Sequence, residues 1–175
     1  MQALGKKSLM RYHPRVDMVP RQADPMRTIL FICTGNTCRS PMAEGIARHH
    51  LADREDDVFV ASAGVAAFEG GSPSLETIRA LESLDIRHEG CSTPLTGDMI
   101  RKASHVLCMT SSHQAAARAM VADDAEAQAR IEPLDPNGDL PDPIGQGQHV
   151  YDALAARLME LIPERLDTLL KEDHA

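Results

Sequence analysis

Residues 28–41 constrain this chain more tightly than any other stretch. The apolar run Thr28-Ile-Leu-Phe-Ile32 has the composition of a strand, and it passes without a spacer into Cys33-Thr-Gly-Asn-Thr-Cys-Arg-Ser-Pro41. From Met42 to Leu51 the pattern turns helical, with Met42, Ile46 and Ala47 recurring at helical spacing and Pro41 suited to the opening turn. The thiol of Cys33 therefore falls at a strand-to-helix turn. There it lies among backbone N–H groups at the start of a helix, six residues ahead of Arg39, and both features favour an anion.

Strand and helix signals alternate along the rest of the chain. Val58-Phe-Val-Ala61 reads as a second strand, Ser104-His-Val-Leu-Cys-Met109 as a third, and Arg130-Ile-Glu-Pro133 as a weak fourth. Pro73 opens a helix with Leu75, Ile78, Leu81 and Leu84 on one side, ending near Asp85. The alanine-rich stretch from Gln114 to Val121 is a further helix. Val150, Leu154, Leu158 and Leu161 stripe a final one, which Pro163 is expected to kink or to split. Such alternation predicts an α/β fold, a parallel sheet covered by helices on both faces. In sheets of that kind ligands bind beyond the carboxyl ends of the strands, where the Cys33 turn emerges.

Composition narrows the function. A chain of 175 residues with 43% apolar residues suits one core. Residues 1–27 carry six Lys/Arg against two Asp/Glu, a net of +4, and the remainder carries 12 against 24, a net of −12. Nucleic acid is thereby disfavoured as a partner of the main body. Pro14, Pro20 and Pro25 interrupt residues 1–27, which read as a flexible basic extension ahead of a domain at 28–175; Met26 is a second possible start. No stretch reaches transmembrane length. The four cysteines, at 33, 38, 91 and 108, form neither a disulfide framework nor a zinc knuckle, so a reducing, cytoplasmic setting fits best.

The residue types in the turn carry a specific chemistry. An ordinary thiol titrates near pH 8.5, whereas one facing several N–H donors and a guanidinium falls to roughly 4 to 7. Cys33 is accordingly expected to be a thiolate. Arg39 offers a planar fork of donors able to grip two phosphoryl oxygens in line with the sulfur. Gly35 and Asn36 tolerate backbone conformations that aim successive N–H groups inward, and Ser40 is placed to donate to the thiolate or to cap the helix. The spacing alone is weak, since a Cys-x5-Arg match arises by chance in on the order of one chain in five of this composition.

The full string is far more specific. Cys33-Thr-Gly-Asn-Thr-Cys-Arg-Ser-Pro-Met-Ala-Glu44 resembles, almost residue for residue, the active-site loop of the low-molecular-weight protein phosphatases. Ser62-Ala-Gly64, Pro94-Leu-Thr96, Val106-Leu-Cys-Met-Thr110 and Asp142-Pro-Ile-Gly145 with Tyr151 look like further family landmarks. The resemblance implies a three-layer, doubly wound, flavodoxin-like sheet of four parallel strands. It also implies a metal-free, cofactor-free hydrolysis of phosphorylated protein side chains by a monomer. Cys33 would form a phosphocysteine, Thr34, Gly35, Asn36, Thr37, Cys38, Arg39 and Ser40 would hold the phosphoryl group, and Asp142 would serve as general acid and then base.

Residues 132–147 hold three aspartates, at 135, 139 and 142, in a proline-rich loop that by itself reads as a solvated turn. The family pattern selects Asp142, with Asp135 in reserve. Thr37 and Ile144 bear on substrate choice. Tyrosine-directed members usually carry an aliphatic residue at the first position, whereas a loop with threonine resembles the bacterial protein arginine phosphatases. An aromatic residue is often seen at the second position in both branches, and Ile144 departs from both. Phosphoarginine is the favoured substrate class and phosphotyrosine the alternative. The resemblance further suggests that Cys38 forms a protective disulfide with Cys33 on oxidation, although a packed small side chain is an equal reading of its position. An arsenate reductase would need closely spaced resolving cysteines, and Cys91 and Cys108 stand 17 residues apart. His88 lies near a position where relatives often have a loop-bracing histidine, but the offset to Pro94 differs, and that role is not assigned to it.

Overall fold

The computed structural model describes residues 26–54 and 57–172. Four strands, β1 (Arg27–Cys33), β2 (Val58–Gly64), β3 (His105–Cys108) and β4 (Ile131–Pro133), pair in parallel in the order β2-β1-β3-β4. Among the described residues six helices accompany them: α1 (Arg39–Leu51), α2 (Leu75–Glu82), α3 (Gly97–Lys102), α4 (Ser111–Met120), α5 (Ala125–Ala129) and α6 (Gln148–Glu172). The expected basic extension lies outside the described residues apart from its end, and Arg27 belongs to β1 rather than to a tail.

β1 is apolar on both sides because both of its sides are covered. Ile29, Phe31 and Cys33 face a core shared with Met42 and Ile46 of α1, Leu81 of α2 and Leu158 and Leu166 of α6. Leu30 and Ile32 face the opposite core, with Ile100 of α3, Ala117 of α4 and Ala127 of α5. Ile29, Leu30, Phe31 and Ile32 are each no more than 2% exposed, and burial of such side chains contributes about 1.5–3 kcal/mol apiece. The strand order reverses direction at β1, whose neighbours are β2 and β3. This is the switch point at which a doubly wound sheet opens a crevice at the strands' carboxyl ends. Cys33, the last residue of β1, stands at that crevice.

Several local expectations are corrected. Of the anticipated stripe on the helix after Pro73, Leu81 is buried and Leu84 packs against the core, whereas Leu75 is 65% exposed; Thr77 and Ala80 complete the helix's buried face instead. Its cap is Ser74, whose hydroxyl accepts from Thr77 N. The final helix is neither split nor ended at Pro163, which sits inside one 25-residue element. Buried Leu158, Leu161 and Ile162 before the proline and Leu166, Leu169 and Leu170 after it anchor both halves in one core. That anchoring outweighs the roughly 3 kcal/mol an interior proline costs. The short helices α3 and α5 were not anticipated at all.

Candidate active site

The loop between β1 and α1 is built on one side-chain amide. Asn36 takes the left-handed conformation, φ 53°, and is 1% exposed. Its Nδ2 donates to Ser40 Oγ at 2.9 Å and to Ser62 Oγ at 2.8 Å, while its Oδ1 accepts from Thr93 N at 2.8 Å. Three separate segments are thereby pinned to the loop's midpoint. Ser92 adds a fourth tie, its hydroxyl donating to Gly35 O at 2.9 Å. Ser62 passes the connection on to Glu44 Oε2 at 2.5 Å, and Glu44, only 7% exposed, is paired in turn with Arg48.

Gly64, at the end of β2, explains how the loop lies so close to the sheet. A Cβ there would stand 2.5 Å from Thr34 O and 2.9 Å from Asn36 N. No side chain fits that space.

Around the sulfur the donors are arranged as the turn implies. Cys33 Sγ, 3% exposed, lies 2.9 Å from Ser40 Oγ and accepts from Asn36 N at 3.3 Å. Ser40 is inside the first turn of α1 and not its cap; the cap position is Cys38, which makes no side-chain capping bond. By contrast Ser74, Thr96, Thr110 and Asp124 close α2, α3, α4 and α5 by accepting from backbone N–H groups. The first N–H groups of α1 are therefore not taken by a side-chain cap, which leaves them suited to an anion.

Arg39 is 5% exposed and turned inward. Its Nη1 donates to Leu140 O at 3.3 Å and its Nη2 to Asp142 Oδ2 at 2.6 Å. Asp142 is half exposed, and its Oδ1 accepts from Ile144 N at 3.2 Å, a short turn that holds the carboxyl group. The other aspartates of the same loop are engaged elsewhere. Asp135 pairs with Arg157 at 2.8 Å, and Asp139 accepts from Ser111 N at 2.7 Å. The Asn137 N–H and the Arg157 guanidinium hold Asp135 below the usual carboxylate range.

Cys33, Thr34, Gly35, Thr37, Cys38, Arg39, Asp142 and Ile144 line one cavity of about 310 Å³. Every expected site residue but Asn36 and Ser40 lines it, and those two support it from behind. Cys38 lies 3.3 Å from Tyr151 Oη. Burial, and next the bond to Cys38, push that phenol up to about 12, so its proton stays on. Cys91 is exposed on its loop, whereas Cys108 is buried in β3 with its thiol pushed up to about 12, chiefly by burial. His88 lies beside Glu44 and Arg48 rather than on the phosphate loop. The histidine that does touch the loop is His113, whose Nε2 is 2.8 Å from Thr34 Oγ1; sequence reasoning missed it, along with Glu44 and Ser92.

A thiol, an inward guanidinium and a carboxylate around a helix N-terminus at a sheet switch point define a cysteine-dependent phosphatase. The family model for low molecular weight phosphotyrosine protein phosphatase matches residues 28–175, and the chain belongs to that family. A protein-arginine-phosphatase of Bacillus subtilis is 34% identical over 151 residues, spanning 83% of this chain and 97% of that one. A low molecular weight protein-tyrosine-phosphatase, PtpB of Staphylococcus epidermidis, is 28% identical across 77% of this chain and 93% of its own. Among solved structures, a cysteine-to-serine mutant of the YwlE arginine phosphatase, carrying a phosphorylated active-site serine, superposes with a TM-score of 0.77. It is 32% identical, with 83% of this chain and 97% of that chain covered. No helix among the described residues is long and apolar enough to cross a membrane.

Proposed function

We propose that this protein removes phosphate from phosphoarginine side chains of proteins, with Cys33 as nucleophile, Arg39 as phosphoryl grip and Asp142 as general acid and base. The observation that carries the reading is the convergence of these three groups on one cavity whose rim includes Thr37. Cys33 Sγ attacks phosphorus, an S–P bond forms, and the P–N bond breaks as the Asp142 carboxyl group protonates the departing guanidino nitrogen. Asp142 then takes a proton from water. The resulting oxygen nucleophile attacks phosphorus, the S–P bond breaks, and inorganic phosphate leaves with Cys33 restored. The loop amides and Arg39 stabilise the equatorial oxygens in both steps.

Two features favour an arginine substrate over a tyrosine one. Thr37, partly exposed beside Cys38, adds a hydroxyl to a wall that aliphatic residues line in tyrosine-directed members, and a guanidino group can use that contact. Asp142 already pairs with the guanidinium of Arg39 at 2.6 Å, a geometry that also suits a substrate guanidino group. The likeness to the Bacillus subtilis protein-arginine-phosphatase, 34% identical against 28% for the tyrosine-directed PtpB, supports the same choice. The substrate is read as protein and not nucleic acid because residues 28–175 carry a net of −12. The protein is taken to work as a monomer in a reducing compartment, where Cys33 and Cys38 remain free.

Purified protein assayed on matched phosphoarginine and phosphotyrosine peptides tests this. The expected result is a higher kcat/KM on phosphoarginine and no turnover of either by Cys33→Ser. Preference for phosphotyrosine overturns the substrate assignment, and activity retained without the thiol overturns the covalent route.

A further inference from the structure

His113 is a buried titratable residue that the mechanism above does not use. It is 4% exposed and belongs to the first turn of α4, on the opposite side of the sheet crevice from α1. Its ring spans two threonines: Nδ1 lies 2.8 Å from Thr110 Oγ1, and Nε2 lies 2.8 Å from Thr34 Oγ1. Burial first, and then the Arg39 charge, lower its pKa, against the opposing pull of Asp142 and Asp139, so the imidazole is neutral at pH 7. A neutral imidazole has one donor and one acceptor. The surroundings decide which nitrogen is which.

Thr110 Oγ1 accepts from His113 N at 3.3 Å as the cap of α4 and lies 2.8 Å from Ser112 Oγ, so its single hydrogen has two candidate acceptors, Nδ1 and Ser112. If the hydrogen goes to Ser112, Nδ1 must carry the ring proton and Nε2 must accept from Thr34. The Thr34 hydroxyl then shows only lone pairs to the cavity that Thr34 lines. A phosphoryl anion beside Cys33 would meet those lone pairs head on. If the hydrogen goes to Nδ1, the exposed Ser112 hydroxyl donates to Thr110 and Nε2–H donates to Thr34 Oγ1. The Thr34 hydrogen is then free to turn toward the anion.

We propose that the Thr34 hydroxyl is a side-chain donor to the bound phosphoryl group and that His113 is its positioning residue, fixed by Thr110 as the Nε2–H tautomer. This deepens the phosphatase reading and rests on it. Thr34 contributes at the mouth of the cradle, where the loop amides do not supply a hydroxyl, and His113 acts only through Thr34. One charge-assisted hydrogen bond corresponds to roughly a tenfold effect.

The test measures inorganic phosphate as a competitive inhibitor together with kcat and KM, in Thr34→Val, Thr34→Ser, His113→Ala, His113→Gln and the Thr34→Val/His113→Ala double variant. Thr34→Val is expected to weaken phosphate inhibition about tenfold, and Thr34→Ser to keep it. His113→Ala should weaken it similarly, with rescue by Gln, whose amide can replace the lost donor. The double variant should be no worse than Thr34→Val alone. Additive losses, or undiminished phosphate inhibition in Thr34→Val, overturn the relay while leaving the phosphatase assignment standing. If the unaltered protein is not inhibited competitively by phosphate, the function reading fails and the relay with it.

Discussion

At the scale of single residues, the loop at 132–147 shows how three similar aspartates acquire different fates. Asp135 is caught by Arg157 and the Asn137 backbone, and Asp139 by Ser111, which leaves Asp142 as the carboxylate facing Arg39 and the cavity. Asp142→Asn should lower kcat on phosphoarginine by about 10²–10⁴-fold, the usual worth of a general acid. The loss should shrink on an aryl phosphate whose phenol leaves without protonation, and Asp135→Asn should leave kcat unchanged; steady-state kinetics on both substrates check this. Cys33, Arg39 and the loop between them were legible because their chemistry is local, contained in seven consecutive residues. Asp142 was separated from its neighbours only by family pattern. His113, Glu44 and Ser92 were illegible for a different reason: their partners lie 18 to 79 positions away, and a histidine or glutamate on a helix reads as surface until the fold covers it.

At the scale of elements, the sequence predicted long members better than short ones. β1 and α6 declare themselves by runs and stripes, whereas α3 and α5, at six and five residues, offer too few positions for periodicity. Their caps, Thr96 and Asp124, were the available signals. Gly64 shows how one strand residue controls a neighbouring loop. Gly64→Ala is expected to push Thr34 O and Asn36 N outward, cutting kcat/KM at least tenfold in protein that still unfolds cooperatively; a paired activity and urea titration measures both effects. Pro163 is an opposite case, a tolerated defect. Pro163→Ala restores a donor to the middle of α6, and after allowance for the more flexible unfolded chain it should stabilise by about 1–2 kcal/mol, read as a higher urea midpoint at unchanged slope.

At the scale of the whole molecule, one buried and one half-buried histidine set a pH dependence of stability. His113 and His88 are both held below their usual 6.5, chiefly by burial, so the unfolded chain binds more protons than the folded one just below that pH. Their contribution is complete above pH 6.5 and is lost as pH falls through the lower folded values. Asp135, also lowered, adds a second loss that begins near 3.8. Denaturant unfolding across pH 7 to 5 should show falling stability, and His113→Gln should flatten part of that slope without touching the later acid limb.

The attachment of the reactive loop has one more consequence. Cys33 ends an inner strand, between the two apolar layers, so its position cannot drift while those layers hold. On warming, enzymatic failure and global melting should share a single midpoint, with no interval in which an intact shell houses a dead centre.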